Sequence, residues 1–148
     1  MKISDKITLK EAANITMGHE GLRLKVYIDT VGVPTVGYGH ALHVGSVIPK
    51  EAADIIFLHD YNNAVKDLND VLPIEHITGP VRLAALTDMM FNLGKTRFCG
   101  FKKMIKAVKN NDYKTAAKEA KNSKWYTQVK TRGERIVKMI ETGLYTEE

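Results

Sequence analysis

Cysteine is almost absent from this chain of 148 residues, which contains only Cys99. A single thiol excludes an internal disulfide framework and a zinc site built on cysteines. Proline is rare, and no apolar run approaches the roughly eighteen residues of a membrane-spanning helix. The first residues are charged without an apolar segment behind them, so we expect no secretory signal. We therefore expect folding in a reducing cytoplasm, with Cys99 as a small buried apolar side chain.

The composition is that of a globular protein, 44% hydrophobic and 26% charged, which excludes collagen, coiled coil and wholesale disorder. Charge is uneven: residues 1–94 carry 8 basic against 11 acidic side chains, and residues 95–148 carry 14 against 6, a net +8. The basic half would attract nucleic acid, phosphate-rich envelope polymers or a carboxylate-bearing wall. Lysines that only solvate helix faces would give the same count. Arginine clusters with interleaved aromatics are missing, so we expect no nucleic-acid partner.

The N-terminal third changes its periodicity twice. A capping-box pattern beginning at Thr8 predicts a short helix through about Met17, ended by Gly18. Apolar and polar residues then alternate over residues 22–28, and a glycine-thinned segment follows over 35–39, which together predict a half-buried hairpin. The glycines would let a backbone or a ligand approach closely. A sheet this small is not stable alone, so it must pack against helices.

The remainder of the chain has helical periodicity. Residues 49–72 predict one long helix, which Pro73 ends and which connects two lobes. Four shorter helices are predicted over residues 80–91, 101–108, 113–121 and 129–140, the last closed by Gly143. The pattern therefore predicts a sheet-bearing N-terminal lobe, a long helix and a helical C-terminal lobe.

Three side chains of the N-terminal third carry the groups that glycosidic cleavage needs. Glu20 follows the predicted helix end, Asp29 falls in the hairpin turn, and Thr35 begins the return strand. These places can converge on one edge of a small sheet. One carboxylic acid can protonate the leaving oxygen while the other carboxylate handles water or the developing oxocarbenium ion. The spacing alone is weak evidence, because solvated loop acids are equally spaced in many proteins.

The segment from Glu20 to His40 resembles the active-site segment of phage-type lysozymes. The family pattern is Glu, eight residues, Asp, five residues, Thr and then Gly-x-Gly-His, and every position matches. The middle of the chain, about residues 43–80, is shorter and looser than in the T-even phage enzyme. Two further blocks match, namely Phe91-Asn92-Leu93-Gly94 with Gly100-Phe101, and Trp125-Tyr126 followed by Arg132 and Arg135.

The resemblance implies a predominantly helical α+β fold with the two lobes of a lysozyme. We expect a single domain over residues 1–148. The small antiparallel sheet would occupy an N-terminal lobe at about 14–48, a connecting helix would span about 49–72, and a helical C-terminal lobe would span about 73–148. The N-terminal helix would pack on the C-terminal lobe.

The resemblance also implies the catalytic roles. Glu20 would be the general acid, while Asp29 and Thr35 would position the water that attacks the anomeric carbon. Inverting enzymes hold the two carboxyls about 6.5–9.5 Å apart and retaining enzymes about 5–5.5 Å apart, so their separation decides the stereochemical course. Arg132 would hold Glu20 in place.

Further positions carry implied supporting roles. His40 would form a structural ion pair with Asp60 on the long helix. His40 and His43 are three apart, but no cysteine or paired acid stands at ligand spacing, so we expect no metal. Substrate contacts are implied at four positions: Phe91, Ala41, Met104 and Glu119. Ala41 and Glu119 depart from the family pattern, and Phe91 could equally be core. Trp125 and Tyr126 are expected to pack in the C-terminal lobe.

The resulting expectation is a monomeric peptidoglycan muramidase of a bacteriophage that needs no cofactor. It would accumulate in the host cytoplasm until a holin, a membrane-permeabilising partner, releases it to the cell wall in the periplasm. Three alternatives stay open: a transglycosylase or chitinase using the same acid, a non-catalytic wall-binding module, and a nucleic-acid binder driven by the basic half.

Overall fold

The computed structural model describes residues 7–145 and 147, and the chain forms two compact units, residues 1–49 and 50–148. In the described residues, eight α-helices and one three-stranded antiparallel sheet give a predominantly helical α+β fold, as predicted. Even the longest of the described helices lacks an apolar stretch that could cross a bilayer.

The first unit begins with α1 (Leu9–Glu20). The predicted capping box is confirmed, because Thr8 Oγ1 accepts from the Glu11 amide at 3.2 Å and Glu11 Oε2 accepts from the Thr8 amide at 2.7 Å. The predicted end at Gly18 is wrong: the helix continues through Glu20, three residues beyond Met17, and its C-cap is Gly21, whose φ is +71°. Gly18 has no positive φ, so this helix ends at the glycine that has one.

The sheet follows in the order β1 (Arg23–Ile28), β2 (Pro34–Gly37) and β3 (His40–Ala41). The predicted return strand over 35–39 is too long, since β2 ends at Gly37 and a turn at Tyr38–Gly39 leads into β3. The predicted half-burial is wrong, since the β1 side chains Leu24, Val26 and Ile28 are 83%, 58% and 63% exposed. Helix α1 contributes no buried residue, so it does not cover this apolar face.

The second unit is helical throughout. Its helices are α2 (Lys50–Val71), α3 (Pro80–Leu93), α4 (Lys95–Cys99), α5 (Lys102–Lys109), α6 (Tyr113–Lys121), α7 (Lys124–Val129) and α8 (Thr131–Thr142), with a 3₁₀ turn at Ile74–His76. Helices α2, α3, α5, α6 and α8 were predicted, although α8 begins two residues later than expected. Helices α4 and α7 were not, because five or six residues carry less than two turns of periodicity.

The core of the second unit surrounds α3, which packs against α2, α4 and α8. The side chains with no more than 1% exposure include Leu68, Leu72, Leu86, Met89, Met90, Phe98, Met104 and Ile140. On α2 only the C-terminal half of the predicted apolar stripe is buried, since Ile56 and Phe57 are about half exposed. The expectation of a buried Cys99 is wrong: it is exposed, and its neighbour Phe98 takes the core position instead.

Polar side chains tie the helix ends to this core. Arg82 Nε donates to the Ile140 carbonyl at 2.8 Å, and its guanidinium lies over the Tyr113 ring at 4.0 Å. Trp125 is buried, as expected, and its indole donates to Asn92 Oδ1 at 2.9 Å. Gly143 ends α8 in the left-handed conformation, also as expected. The helical unit therefore combines dense packing with satisfied polar contacts at helix ends.

Candidate active site

Asp29 lies in the turn between β1 and β2, where its own carboxylate organises the backbone. Oδ1 accepts from the amides of Val31 at 2.9 Å and Val33 at 2.8 Å. The Asp29 amide also donates to the Val33 carbonyl at 2.9 Å. Within the described residues no hydrogen bond is made to Oδ2, so that oxygen is available to accept a hydrogen bond from a water molecule.

Thr35 is anchored to the backbone of the same residue, Val33, as the Asp29 side chain. Its hydroxyl donates to the Val33 carbonyl at 2.9 Å, and the side chain is the one buried among the described residues of the first unit. Because the proton is committed to that carbonyl, the hydroxyl oxygen can accept a hydrogen bond from water. Val33 thus fixes both candidate water-positioning side chains, one through its N–H and one through its C=O.

Glu20 is the last residue of α1 and is exposed. Its carboxylate lies against the β2–β3 turn: a Cβ built on Gly39 would be 2.7 Å from Glu20 Oε2. Gly39 also has a φ of +79°, which side chains rarely tolerate. The sequence predicted that these glycines admit a close approach, and here the approaching group is the candidate general acid.

Ala41, one of the predicted substrate contacts, pairs with Thr35 across β2 and β3. His40 precedes it in β3 and is exposed. The first unit therefore holds Glu20, Asp29, Thr35 and Ala41 on the end of one helix and three adjoining strands and turns. Sequence reasoning missed Val33, whose role belongs to its backbone and leaves no signal in its side chain.

The supporting residues on the second unit have partners of their own. Arg132 Nε donates to Asp88 Oδ1 at 2.8 Å. Asp60 Oδ1 lies 3.4 Å from His59 Nδ1. The expected roles of Arg132 toward Glu20 and of Asp60 toward His40 stay predictions.

The other predicted substrate contacts also belong to the second unit. Phe91 is 39% exposed, with its ring centroid 5.6 Å from that of Phe57 and 6.4 Å from that of Tyr61. Met104 and Glu119 line one cavity of about 480 Å³. Met104 is fully buried and Glu119 is partly exposed, and the substrate contacts expected of both stay predictions.

Histidine, cysteine and carboxylate side chains form no group of three that could hold a metal within the described part of the chain. His43 Nδ1 instead lies 3.0 Å from Ser46 Oγ in the loop after β3. The first unit offers groups for acid–base chemistry: a carboxyl group that can give a proton, and a carboxylate with a hydroxyl that can hold water.

Comparison with known proteins identifies the family to which the chain belongs. A family model described as phage lysozyme matches residues 17–142, which include Glu20, Asp29 and Thr35. The pre-baseplate central spike protein Gp5 of Enterobacteria phage T4 is 31% identical over 84% of this chain, but the chain spans only 26% of that protein. The probable T4-type lysozyme 1 of Dictyostelium discoideum is 27% identical, over 84% of this chain and 89% of its own length.

An endolysin of Acyrthosiphon pisum secondary endosymbiont phage 1 is 32% identical, with 79% of this chain and 77% of the endolysin aligned. The family match covers well over half of the chain and all of its described helices and strands except the first two turns of α1. The chain therefore belongs to the phage lysozyme family, the muramidase glycoside hydrolases that degrade bacterial cell walls.

Proposed function

We propose that this protein hydrolyses the β-1,4 glycosidic bond between N-acetylmuramic acid and N-acetylglucosamine in peptidoglycan. Glu20 protonates the leaving oxygen, and Asp29 with Thr35 positions the water that attacks the anomeric carbon. The observation that supports the proposal is the anchoring of Asp29 and Thr35 to the backbone of one residue, Val33. That anchoring fixes both side chains and leaves Asp29 Oδ2 and the Thr35 hydroxyl oxygen as hydrogen-bond acceptors for the water.

Glu20 needs shielding from water to deliver its proton at neutral pH, since solvation favours the carboxylate. The side chain is exposed in this structure. We propose that the bound saccharide supplies the shielding, so the acid becomes competent only with substrate in place. The resemblance further implies that Arg132, which donates to Asp88, orients the Glu20 carboxyl. Arg132→Ala should then lower kcat with little change in KM, whereas an unchanged kcat would argue against this role.

Substrate contacts are proposed for Ala41, Phe91 and Glu119. Ala41 lies beside Thr35 in the sheet, Phe91 offers a partly exposed ring, and Glu119 lines a cavity. His40 and Asp60 are proposed to form a structural ion pair that does not enter the reaction. Asp60→Asn should therefore lower the unfolding midpoint of the protein without lowering kcat.

The decisive test is clearing of purified peptidoglycan by the wild type and by Glu20→Gln. Removing a general acid should lower the rate by roughly 10²–10⁴-fold. Glu11→Gln is the matched control, because it makes the same change on the same helix and can still accept from the Thr8 amide. Walls rather than living cells should be used, so that membrane damage by a cationic protein does not mimic lysis. Equal clearing by the wild type and Glu20→Gln would remove Glu20 from the mechanism.

Product analysis tests the bond and the reaction type. Hydrolysis at the proposed bond releases fragments that end in reducing N-acetylmuramic acid, which borohydride reduction and mass spectrometry identify. Anhydro ends would instead identify a transglycosylase, and reducing N-acetylglucosamine ends would identify cleavage of the other bond. Either result would contradict the proposal while keeping Glu20 as an acid.

We also propose that the protein accumulates in the host cytoplasm as a monomer until a holin releases it to the wall. Relatives that carry the name endolysin support this place in lysis. Expression in a bacterial host should leave cells intact until the inner membrane is permeabilised, and lysis should then follow within minutes. Spontaneous lysis of undamaged cells would contradict the need for a releasing partner.

A further inference from the structure

The positive charge of the second unit is concentrated in one stretch. Residues 95–124, which form α4, α5, α6 and the first residue of α7, carry 10 Lys and Arg against two carboxylates, a net +8. Residues 125–148 carry 4 basic and 4 acidic side chains, a net charge of zero. The excess of positive charge is therefore local, and the helices that carry it form the candidate surface for an anionic partner.

Helix α5 separates this charge from its apolar side. It buries Met104, Ile105, Ala107 and Val108, so its lysines occupy the outer face. Lys102, Lys106 and Lys109 follow one another at spacings of four and three residues, which places them in a row along the helix. The row extends over about 10 Å, at a rise of about 1.5 Å per residue.

These three lysines line a groove of about 360 Å³. The rest of its lining is uncharged and comes from Val71, Ile105 and the exposed Cys99. No carboxylate lines the groove, and none of the three ammonium groups forms an ion pair with a carboxylate of the described residues. A groove with a positive wall and no internal counter-charge is complementary to a linear polyanion.

We propose that this lysine groove binds a linear phosphodiester polymer of the bacterial envelope. Lysine is a point charge that contacts phosphate without demanding one orientation, so a row of lysines suits a chain of repeated phosphates. The binding is independent of the glycosidic chemistry, because none of the groove residues belongs to the proposed catalytic set. It would keep the protein on the envelope between cleavage events.

Two other classes of macromolecule fit the groove less well. A membrane needs apolar anchors on the contacting face, whereas the apolar residues of α5 are at most 9% exposed. A single-stranded nucleic acid needs aromatic platforms on which bases stack, and no aromatic residue lines the groove.

Two of the lysines also have a role that needs no ligand. Lys106 and Lys109 lie in the last turn of α5, where their positive charge stabilises the helix dipole.

The test compares two triple variants with the same charge loss and spacing. Lys102→Gln/Lys106→Gln/Lys109→Gln neutralises the lysine groove. The control neutralises Lys114, Lys118 and Lys121 on α6, which have the same spacing but line a cavity that also contains the Glu141 carboxylate. With deacylated poly(glycerol phosphate) as the probe, the α5 variant should bind roughly tenfold or more weakly and show a shallower salt dependence. The α6 variant should lose less than threefold; equal losses would overturn the assignment to this groove.

Cys99 supplies a local readout, because it is the single cysteine of the chain and lies in the groove lining. Bound polymer should slow its alkylation by iodoacetamide, a neutral reagent that the lysines do not attract. The protection should persist in the α6 variant and disappear in the α5 variant. Binding that leaves the alkylation rate unchanged would place the polymer elsewhere and contradict the proposal.

Three further arms separate the explanations. Duplex DNA or vesicles of anionic phospholipid that bind as tightly as the polymer, with the same Cys99 protection, would overturn its assignment as the partner. No measurable binding of the polymer at low salt would leave the lysines as a solvated helix face and also refute it. Glu20→Gln should bind with unchanged affinity, so loss of the proposed hydrolysis and loss of the proposed binding are distinguishable.

Discussion

The two units of the chain are stabilised in different ways. Among the described residues before Lys50, Thr35 is the one buried side chain, and hydrogen bonds of turns, caps and strands hold the elements. In the second unit the buried apolar residues form one continuous core between Ala64 and Ile140. The candidate catalytic groups therefore belong to the unit in which backbone hydrogen bonds fix position, and the stabilising core belongs to the other.

This difference predicts where substitutions should affect stability and where they should affect activity. Removing atoms from a densely packed core leaves a cavity and lowers the free energy of unfolding. Displacing a side chain in a turn-built site costs little stability but moves a reacting group, and catalysis is sensitive to such displacements. The comparison therefore predicts stability losses in the second unit and activity losses in the first.

Phe98→Ala should produce the largest stability effect. The side chain is fully buried at the end of α4, and truncation of a buried phenylalanine costs about 3–5 kcal/mol. Phe57→Ala is the control, because the same atoms are removed from a ring that is half exposed. Urea unfolding at neutral pH gives both free energies. Similar losses of unfolding free energy in the two variants would contradict the predicted difference between core and surface positions in the second unit.

Among substitutions in the first unit that replace no catalytic residue, Gly39→Ala should have the largest effect on activity. The new Cβ would meet Glu20 Oε2, which is the free end of a flexible side chain, so the carboxyl moves away at little cost in stability. We expect roughly a hundredfold lower kcat, since small displacements of a reacting group have effects of this order. The rate of peptidoglycan clearing tests the predicted loss of activity, and the urea midpoint tests the predicted small change in stability.

Gly32→Ala is the matched control for that variant. Gly32 has a similar φ of +85°, but a Cβ there would meet no atom within 4 Å. Both variants therefore carry comparable backbone strain, of about 1 kcal/mol, and only one crowds the acid. If Gly32→Ala lost as much activity as Gly39→Ala, strain rather than displacement of Glu20 would explain the result.

The sequence predicted the second unit better than the first. Periodic patterns of about two turns or more predicted α2, α3, α5, α6 and α8, because burial of one helix face imposes a repeat on the chain. The five-residue α4 carries no such repeat and was missed. Burial was predicted less well than periodicity: the alternation over residues 22–28 predicted β1, yet its apolar side chains are exposed.

The candidate site was also predicted only in part from the sequence. Spacing and resemblance singled out Glu20, Asp29 and Thr35, whose side chains carry the chemistry. They could not single out the Val33 peptide, since any residue supplies the same N–H and C=O. Gly39 was predicted only as a place of close approach, and the structure identifies the approaching group as Glu20.

Acid should have the smallest effect, and it should differ between helices α1 and α6. The hydrogen bond from the Thr8 amide lowers the pKa of Glu11 below its ordinary value of about 4.5. In α6, the Thr115 hydrogen bond similarly lowers the pKa of Asp112 below about 3.8. Each carboxylate stabilises its helix above its ordinary pKa, and the contribution is lost as pH falls through the lowered value.

The consequences differ because α1 buries no residue, whereas α6 buries four: Tyr113, Ala116, Ala117 and Ala120. Protonation of Glu11 should therefore fray the first turn of α1, while packing should hold α6 after Asp112 protonates. Amide hydrogen exchange, corrected for intrinsic rates and followed from pH 6 downward through both lowered pKa values, should show lost protection in α1 alone. Glu11→Gln should remove that pH dependence. Equal loss of protection in both helices would mean that the cap rather than burial stabilises α6. It would contradict the predicted difference between the hydrogen-bonded first unit and the densely packed second unit.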